Sequence, residues 1–390
     1  MRIAYFTDTF TPEINGVTNT LGRLSRFLET KGVHHAFFTS DYSNGGVKEP
    51  DVLSGKKRVH RFPGIRFGVS PESCLAFPKK REIYGLCDRF APDLVHVATE
   101  FGIGYKGMKY AVARGSPLIM SCHTDYCKFL KFHNLNAFEP AVDRYLKWFY
   151  GFSDKTLVPS KHTLGQLKHK GYTNLGIWTR GIDTSKFNAG YRSTDTRNAL
   201  ETGDKFAFLY VGRLSAEKGL DVLLHAIWEI NRLYPGKTMF IFTGDGPYAD
   251  NIRRSAFPNV VLTGFKQNKE LSEIYASCDC FAFPSGTETF GNVALEAMAS
   301  GLPVVGISNG GVTDFLEHNY NALLSGDRDK TTFTQNLITM MENKELRHKL
   351  SENAVQTAYL KDWDGIFNEL LKDYQAVIDR NTSTVRKRVS

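Results

Sequence analysis

At 390 residues the chain exceeds one ordinary hydrophobic core, so two domains are expected. Its 42% hydrophobic and 23% charged residues are those of a soluble globular protein, and no apolar run approaches the length of a membrane span, which excludes a membrane-crossing protein. A net charge of +8 and a pI near 9.0 suit an anionic ligand, an anionic membrane surface or nucleic acid, without choosing among them.

Residues 2–7 read as a short buried strand that the chain enters directly from Met1, so no export signal is expected. An Asn-Gly turn at Asn15-Gly16 follows, and residues 18–30 carry Leu21, Leu24, Phe27 and Leu28 at helical spacing. Strand, glycine loop and helix are the opening of a doubly wound α/β domain, whose ligands gather at the carboxyl ends of the strands, and Gly16 would face that crevice. Residues 33–39 are a second strand and 41–46 a polar loop. The next stretch is basic, with Lys56, Lys57, Arg58, Arg61, Arg66, Lys79, Lys80 and Arg81 interleaved with Phe62, Phe67 and Phe77. A solvated face is its ordinary meaning, and an acceptor site near anionic lipid headgroups is the functional alternative.

Residues 84–90 read as helix, and 93–97 and 118–122 as buried strands, the second delivering His123, Thr124, Asp125 and Tyr126 to the sheet edge. A lone histidine after a strand is commonly structural. At this place, with Asp125 two residues on, its imidazole could bond a sugar hydroxyl or stabilise a positive anomeric centre. Residues 128–133 and the helix through 145–150 mix aromatic and basic side chains, for which core packing is the default and membrane contact the alternative. A strand at 156–158 precedes a helix N-capped by Ser160 and running to Lys170. The polar stretch 188–204 is the composition shift that places the domain boundary, giving a first domain of 1–184, joined by a helix from about 363, and a second of 185–362.

The second half restarts the pattern. Residues 206–211 form a strand, 212–219 a loop and 220–233 an amphipathic helix. Gly212, Arg213, Lys218 and Gly219 thus put two cations on a strand-to-helix turn, Arg213 as a bidentate fork and Lys218 as a flexible point charge for phosphate. Residues 239–243 lead into a second glycine loop at Gly244-Asp245-Gly246. A strand at 260–263 ends at Gly264-Phe265, where a nucleotide base could stack or bond to backbone. Residues 271–276 are helical. Asp327-Arg328-Asp329 matches a metal-binding D-x-D pattern, but carboxylates at a helix start explain it better.

The stretch 284–301 organises the rest. Cys280 to Phe283 read as a strand end, Pro284 and Gly286 break the chain into a loop, and a helix from about Asn292 closes at Gly301 and Pro303. Glu288 lies on the loop and Glu296 in the helix's second turn. Between them the amides of Phe290, Gly291, Asn292 and Val293, next to Thr289, are unpaired donors of a helix start, a seat for phosphate or sugar hydroxyls. Gly291 would let a ligand approach the backbone closely. A carboxylate accepts vicinal hydroxyls, so this layout suits a ligand with sugar at each end and phosphate between, which describes a nucleotide sugar. Six scattered cysteines, of which only Cys278 and Cys280 lie close, read as reduced buried thiols of a cytoplasmic protein.

Taken together, the residues Thr7 to Val17, the His123 loop, Gly212-Arg213 with Lys218-Gly219, Gly244-Asp245-Gly246 and Glu288 through Glu296 resemble the family 4 retaining glycosyltransferases of the GT-B fold. The likeness covers nearly the whole chain and is strongest to the branch of mannosyl, glucosyl and sulfoquinovosyl transferases acting on diacylglycerol or inositol lipids. It implies an α/β protein of two Rossmann-like domains facing across a cleft, the last helix crossing back onto the first domain. It also implies a hexosyltransferase using a UDP- or GDP-sugar without a metal or other cofactor. Glu296 would bind the ribose, Arg213 and Lys218 the diphosphate, Glu288 with the amides of Phe290 and Gly291 the hexose, Gly16 the phosphates and His123 the reacting sugar. The expected acceptor is a membrane lipid or glycan, and the expected location cytoplasmic, with peripheral contact at the inner membrane face left open. A GT-B epimerase or phosphorylase, and a non-catalytic nucleotide- or lipid-binding protein, are the rival readings. Nucleic acid is not expected, because basic and aromatic residues are dispersed rather than gathered on one face.

Overall fold

The computed structural model describes residues 1–389 apart from 12, 14, 43–56, 68–69, 127–129 and 131–134, with backbone alone at 57, 66–67, 70–73 and 384–389. The polar loop at 43–46 and most of the aromatic and basic run 128–133 therefore lie outside the described residues. Two compact units are present, Met1–Thr179 with Asp364–Ser390, and Arg180–Trp363.

In the first unit the strands are β1 (Arg2–Thr7), β2 (His34–Asp41), β3 (Lys57–Phe67), β4 (Ser70–Ala76), β5 (Leu94–Val97), β6 (Leu118–Ser121), β7 (Lys155–Val158) and β8 (Leu175–Ile177). Their order is β4-β3-β2-β1-β5-β6-β7-β8, parallel throughout except for the β3–β4 hairpin. Parallel strands covered on both faces read as continuous apolar runs, and β1 shows why. Phe6 stacks on Phe38 at 4.7 Å on one face, while Tyr5 stacks on Phe37 at 4.8 Å on the other. The basic stretch is not simply a solvated face. Its residues 57–63 pair with β2 and 64–67 with β4, and Phe62 turns into the core at 2% exposure, whereas Phe77 stays 60% exposed. The helix Trp363–Val389 returns to this unit, where Phe367 meets Phe27 at 5.3 Å and Asp373 pairs with Lys155 at 2.6 Å. Its backbone stays helical through Arg386, Lys387 and Arg388 rather than fraying.

In the second unit β9 (Phe206–Val211), β10 (Thr238–Thr243), β11 (Val260–Gly264), β12 (Cys280–Phe283), β13 (Val304–Ile307) and β14 (Ala322–Ser325) form an all-parallel sheet ordered β11-β10-β9-β12-β13-β14. Side chains alternate between two cores. Phe208, Tyr210, Phe240 and Phe242 fill one, and Leu209, Ile241, Phe281 and Phe283 the other. The polar stretch 188–204 is not a linker. Arg192 and Arg197 both reach Asp279, at 3.0 and 3.2 Å, and Asp279 also accepts from the Ala207 amide at 2.9 Å.

Each sheet reverses its strand order once, between β1 and β5 in the first unit and between β9 and β12 in the second. Doubly wound sheets bind ligands outside the carboxyl ends of the strands at such a reversal. Among the described residues, no helix is long and apolar enough to cross a membrane.

Candidate active site

The loop leaving β9 carries Gly212, Arg213 and Lys218, and the loop leaving β12 carries Glu288 and Thr289, so the strand-order reversal brings these two loops side by side. Lys218 ends a short 3-10 turn (Ala216–Lys218), and its Nζ donates to Glu288 Oε1 at 2.6 Å. The Ser285 hydroxyl donates to the same oxygen at 3.2 Å. Both partners of the ion pair are about one-fifth exposed, at 22% and 20%, so each stays reachable by a ligand while being partly desolvated. Arg213 is an exposed side chain five residues before Lys218, and its carbonyl accepts from the Tyr210 hydroxyl at 2.9 Å.

Helix Asn292–Ala299 begins at Gly291, whose φ is +96°. A Cβ there would stand 2.4 Å from Val312 Cγ1, so packing already demands glycine at this position, before any ligand approach is considered. Gly244 has a similar reason, since its Cβ would meet the Gly212 carbonyl oxygen at 1.9 Å, and the two glycine loops lie directly against each other. Phe290 is 3% exposed with its ring 5.2 Å from that of Phe315, so only its backbone can serve a ligand. Thr289, Asn292 and Val293 are half-buried, and the side-chain oxygen of Asn292 is buried with no partner among the described residues. The amides of Asn292 and Val293 open the helix with no preceding helical turn to accept from them, whereas Ala294 and Leu295 donate to the Gly291 carbonyl at 3.1 and 3.4 Å. Glu296, in the second turn, accepts from the Tyr275 hydroxyl at 3.0 Å, and that hydroxyl also lies 3.2 Å from the Val293 carbonyl. Burial and the neighbouring Glu296 hold the Tyr275 phenol well above its ordinary range, so it stays a donor. Phe265, past the end of β11, is 58% exposed.

In the first unit Gly16 opens helix Gly16–Thr30, which Asn15 caps by accepting from the Thr18 amide at 2.8 Å. Asn15 also donates to Thr9 Oγ1 at 2.8 Å, and Thr9 donates to Glu13 at 2.6 Å, which knits the loop at the end of β1 together. His123 follows β6, half-buried, with Nε2 at 2.8 Å from Ser121 Oγ and its ring edge-on to Trp178 at 5.6 Å.

Two buried carboxylates flank this reversal, and neither is given a role by the sequence pattern, although Asp8 lies in the Thr7–Val17 stretch. Asp8 accepts from the Ile103 amide at 2.8 Å and from the Thr99 hydroxyl at 2.7 Å. Desolvation outweighs these bonds and raises its carboxyl to about 7. Glu100 is raised by burial and accepts from Tyr126 at 2.6 Å and Tyr150 at 2.5 Å. Their partners come from elements distant in sequence, so no local spacing marks them, nor does any mark Tyr275 beside Glu296.

Asp329 caps helix Lys330–Glu342 by accepting from the Thr332 amide at 3.0 Å, the helix-start role its position suggests. Among the described residues no group of three His, Cys, Asp or Glu side chains has the geometry to hold a metal ion. Among the described residues, Cys74, Cys87, Cys122, Cys278 and Cys280 are buried thiols outside any disulfide.

Comparison with known proteins finds matches along nearly the whole chain. Residues 14–186 match the family described as Glycosyltransferase Family 4, and residues 192–357 the family described as Glycosyl transferases group 1. The chain is 30% identical over 384 residues to a GDP-mannose-dependent alpha-mannosyltransferase of Mycobacterium tuberculosis, covering 98% of both chains. It is also 30% identical to the sulfoquinovosyl transferase of Arabidopsis thaliana, across 94% of this chain and 71% of that one. An alpha-monoglucosyldiacylglycerol synthase of Streptococcus pneumoniae is 26% identical, across 91% of this chain and 82% of that one. Among solved structures, a sucrose-phosphate synthase from Thermosynechococcus elongatus aligns with TM-score 0.78 at 17% identity, covering 97% of this chain and 99% of that one. The Anabaena protein HepE in complex with UDP and glucose aligns with TM-score 0.75 at 17% identity, covering 96% and 99%.

Proposed function

The chain belongs to the family 4 glycosyltransferases of the GT-B fold, and from that premise we propose that it moves a hexose from a UDP- or GDP-linked donor to an acceptor hydroxyl, with retention of anomeric configuration and without a metal. The observation that carries this reading is the Lys218–Glu288 pair, a cation and a carboxylate 2.6 Å apart beside a helix start at a strand-order reversal.

Breaking the anomeric C–O bond leaves negative charge on the diphosphate and positive charge on the sugar ring. Lys218, Arg213 and the helix-start amides would meet the first charge, already oriented before the bond breaks, which is where electrostatic stabilisation is most effective. Glu288, with the amides of Phe290 and Gly291, would take the hexose hydroxyls, the half-buried Thr289, Asn292 and Val293 lining the same helix start. Glu296, oriented by Tyr275, would take the ribose, and Phe265 would lie against the base beyond the Gly212 and Gly244 loops. In this reading the first unit is the acceptor side, with Gly16 serving the phosphates and His123 the sugar. Retention would follow from same-face attack with the leaving phosphate as base, since no carboxylate pair is assigned to the anomeric centre.

For the acceptor, the name of one relative, the alpha-monoglucosyldiacylglycerol synthase, favours a glycerolipid. A cytoplasmic protein in peripheral contact with a membrane fits that choice. Its support is an exposed aromatic group in the first unit, where Trp148, at 43% exposure, meets Phe152 at 5.1 Å and lies under Lys109 at 5.7 Å. Flotation with anionic and neutral vesicles checks this part, and equal recovery with both rejects it. The transfer itself is tested by nucleotide release from a panel of UDP- and GDP-sugars, GDP-mannose first, with and without lipid extract. Acceptor-dependent release is expected. Conversion of donor without acceptor would favour an epimerase or phosphorylase, and binding without turnover a non-catalytic protein.

A further inference from the structure

Behind His123 runs a line of four buried polar side chains that the proposed reaction does not use. Its Nε2 is 2.8 Å from Ser121 Oγ, which is 3.0 Å from Nε2 of His96. His96 Nδ1 is 2.6 Å from the Tyr374 hydroxyl, itself 3.2 Å from the Tyr5 hydroxyl. Tyr5, His96 and Tyr374 are 0% exposed and Ser121 1%, so water does not complete these bonds.

The distances and the donor count select one direction for the hydrogens. An N–H donor to oxygen seldom comes closer than ~2.7 Å, whereas a hydroxyl donor does, so the 2.6 Å contact runs from Tyr374 O–H to His96 Nδ1. A neutral imidazole then carries its single hydrogen on Nε2 and donates it to Ser121 at 3.0 Å, a usual N–H···O length. Ser121 has one hydrogen left to give and gives it to His123. Tyr374 has spent its own, so Tyr5 donates to it. Burial holds His96 down at about 3, which keeps it neutral, and pushes both phenols up, which keeps them protonated.

We propose that Tyr374, His96 and Ser121 are positioning residues that fix the tautomer of His123, making its Nε2 an acceptor and leaving the ring hydrogen on Nδ1. This rests on the reading of His123 as the sugar-contacting imidazole. A histidine locked in this way is neutral, with its hydrogen on Nδ1, and its Nε2 is not the base of the reaction. Tyr374 comes from the helix Trp363–Val389 and packs against β1 and β5 through Tyr5 and His96, and so ties that helix to the ring it positions.

The test uses the full-length protein labelled with 15N-histidine at about pH 8, above the ordinary imidazole range. His123 and His96 signals are assigned from H123Q and H96Q. In the wild type, His123 is expected to show hydrogen on Nδ1 and His96 on Nε2. Ser121→Ala should shift His123 toward the Nε2–H form and lower kcat about tenfold, the scale of one net hydrogen bond, with donor KM unchanged. Tyr374→Phe, which keeps the ring packing, should shift His96 toward Nδ1–H and His123 toward Nε2–H, each by less, and Ser121→Thr should restore the wild-type pattern. Hydrogen on Nε2 of His123 in the wild type, or an unchanged His123 tautomer in Ser121→Ala, overturns the relay. Full transfer activity in His123→Ala would instead remove His123 from the reaction and leave the tautomer result standing.

Discussion

Replacing Lys218 with Met, Glu288 with Gln, and both together separates the ion pair's contribution to folding from its contribution to turnover. A pair about one-fifth exposed on each side lies between two limits. Surface pairs contribute ~0–1 kcal/mol, while removing one member of a buried pair costs ~3–5 kcal/mol. With water reaching part of each side chain, each single change should cost about 1–3 kcal/mol in stability, with a coupling of about 1–2 kcal/mol in the cycle. Glu288→Gln should be the worse of the two, because it strands an ammonium, whereas Glu288 left alone keeps the Ser285 hydroxyl at 3.2 Å. Turnover should rank the other way. Lys218→Met removes the cation proposed to face the leaving diphosphate and should lower kcat by about 10²–10³, equivalent to ~2.7–4 kcal/mol by analogy with an oxyanion donor. Urea unfolding measures the first ordering and nucleotide release the second. A coupling below ~0.5 kcal/mol, the scatter expected of independent sites, or turnover of Lys218→Met within a few-fold of wild type, would overturn these roles for the pair.

Glu296→Gln should weaken nucleotide binding about tenfold, and Tyr275→Phe, which removes the 3.0 Å bond orienting Glu296, about threefold. Calorimetric titration with UDP and GDP checks both, and unchanged affinities reject the ribose assignment. Asp8 carries a pH signature. Its folded-state carboxyl, raised from 3.8 to about 7, favours the protonated form, so its contribution to stability is full below the ordinary carboxylate range and lost as pH rises through about 7. Asp8→Asn should flatten that loss, by an amount on the order of a few kcal/mol, and a denaturation series across pH with parallel curves for the two proteins contradicts it. Gly291→Ala should lower stability by about 1–3 kcal/mol without any ligand, from the +96° φ and the contact with Val312. An unchanged melting temperature would return that glycine to a purely ligand-side role.

Strands β1, β5, β6, β9, β10 and β12 are legible because each is mostly apolar and bounded by turn residues. β9, β12 and helix Leu220–Leu233 occur where the pattern predicts them. The hairpin β3–β4 was hidden by its charges, since an edge hairpin needs only one inward side chain in several, here Phe62 and Cys74. Helix Gly102–Arg114 was hidden by glycines at 102, 104 and 107, poor helix formers in isolation. At 107 a Cβ would come within 2.6 Å of Phe6 Cβ, a contact between segments about a hundred residues apart that no local window contains.

What the residues alone determined is the repeat of strand, glycine loop and helix, the positions of Arg213, Lys218, Glu288 and Glu296 upon it, and through their combination the family. Those are properties of local spacing, which backbone geometry turns into structure without outside help. The tertiary structure decided the partners: Lys218 with Glu288 across the strand-order reversal, Tyr275 beneath Glu296, the burial that lifts Asp8, and the line from Tyr5 to His123. Each joins residues far apart in the chain, and desolvation acts on a group only after those distant neighbours have closed around it.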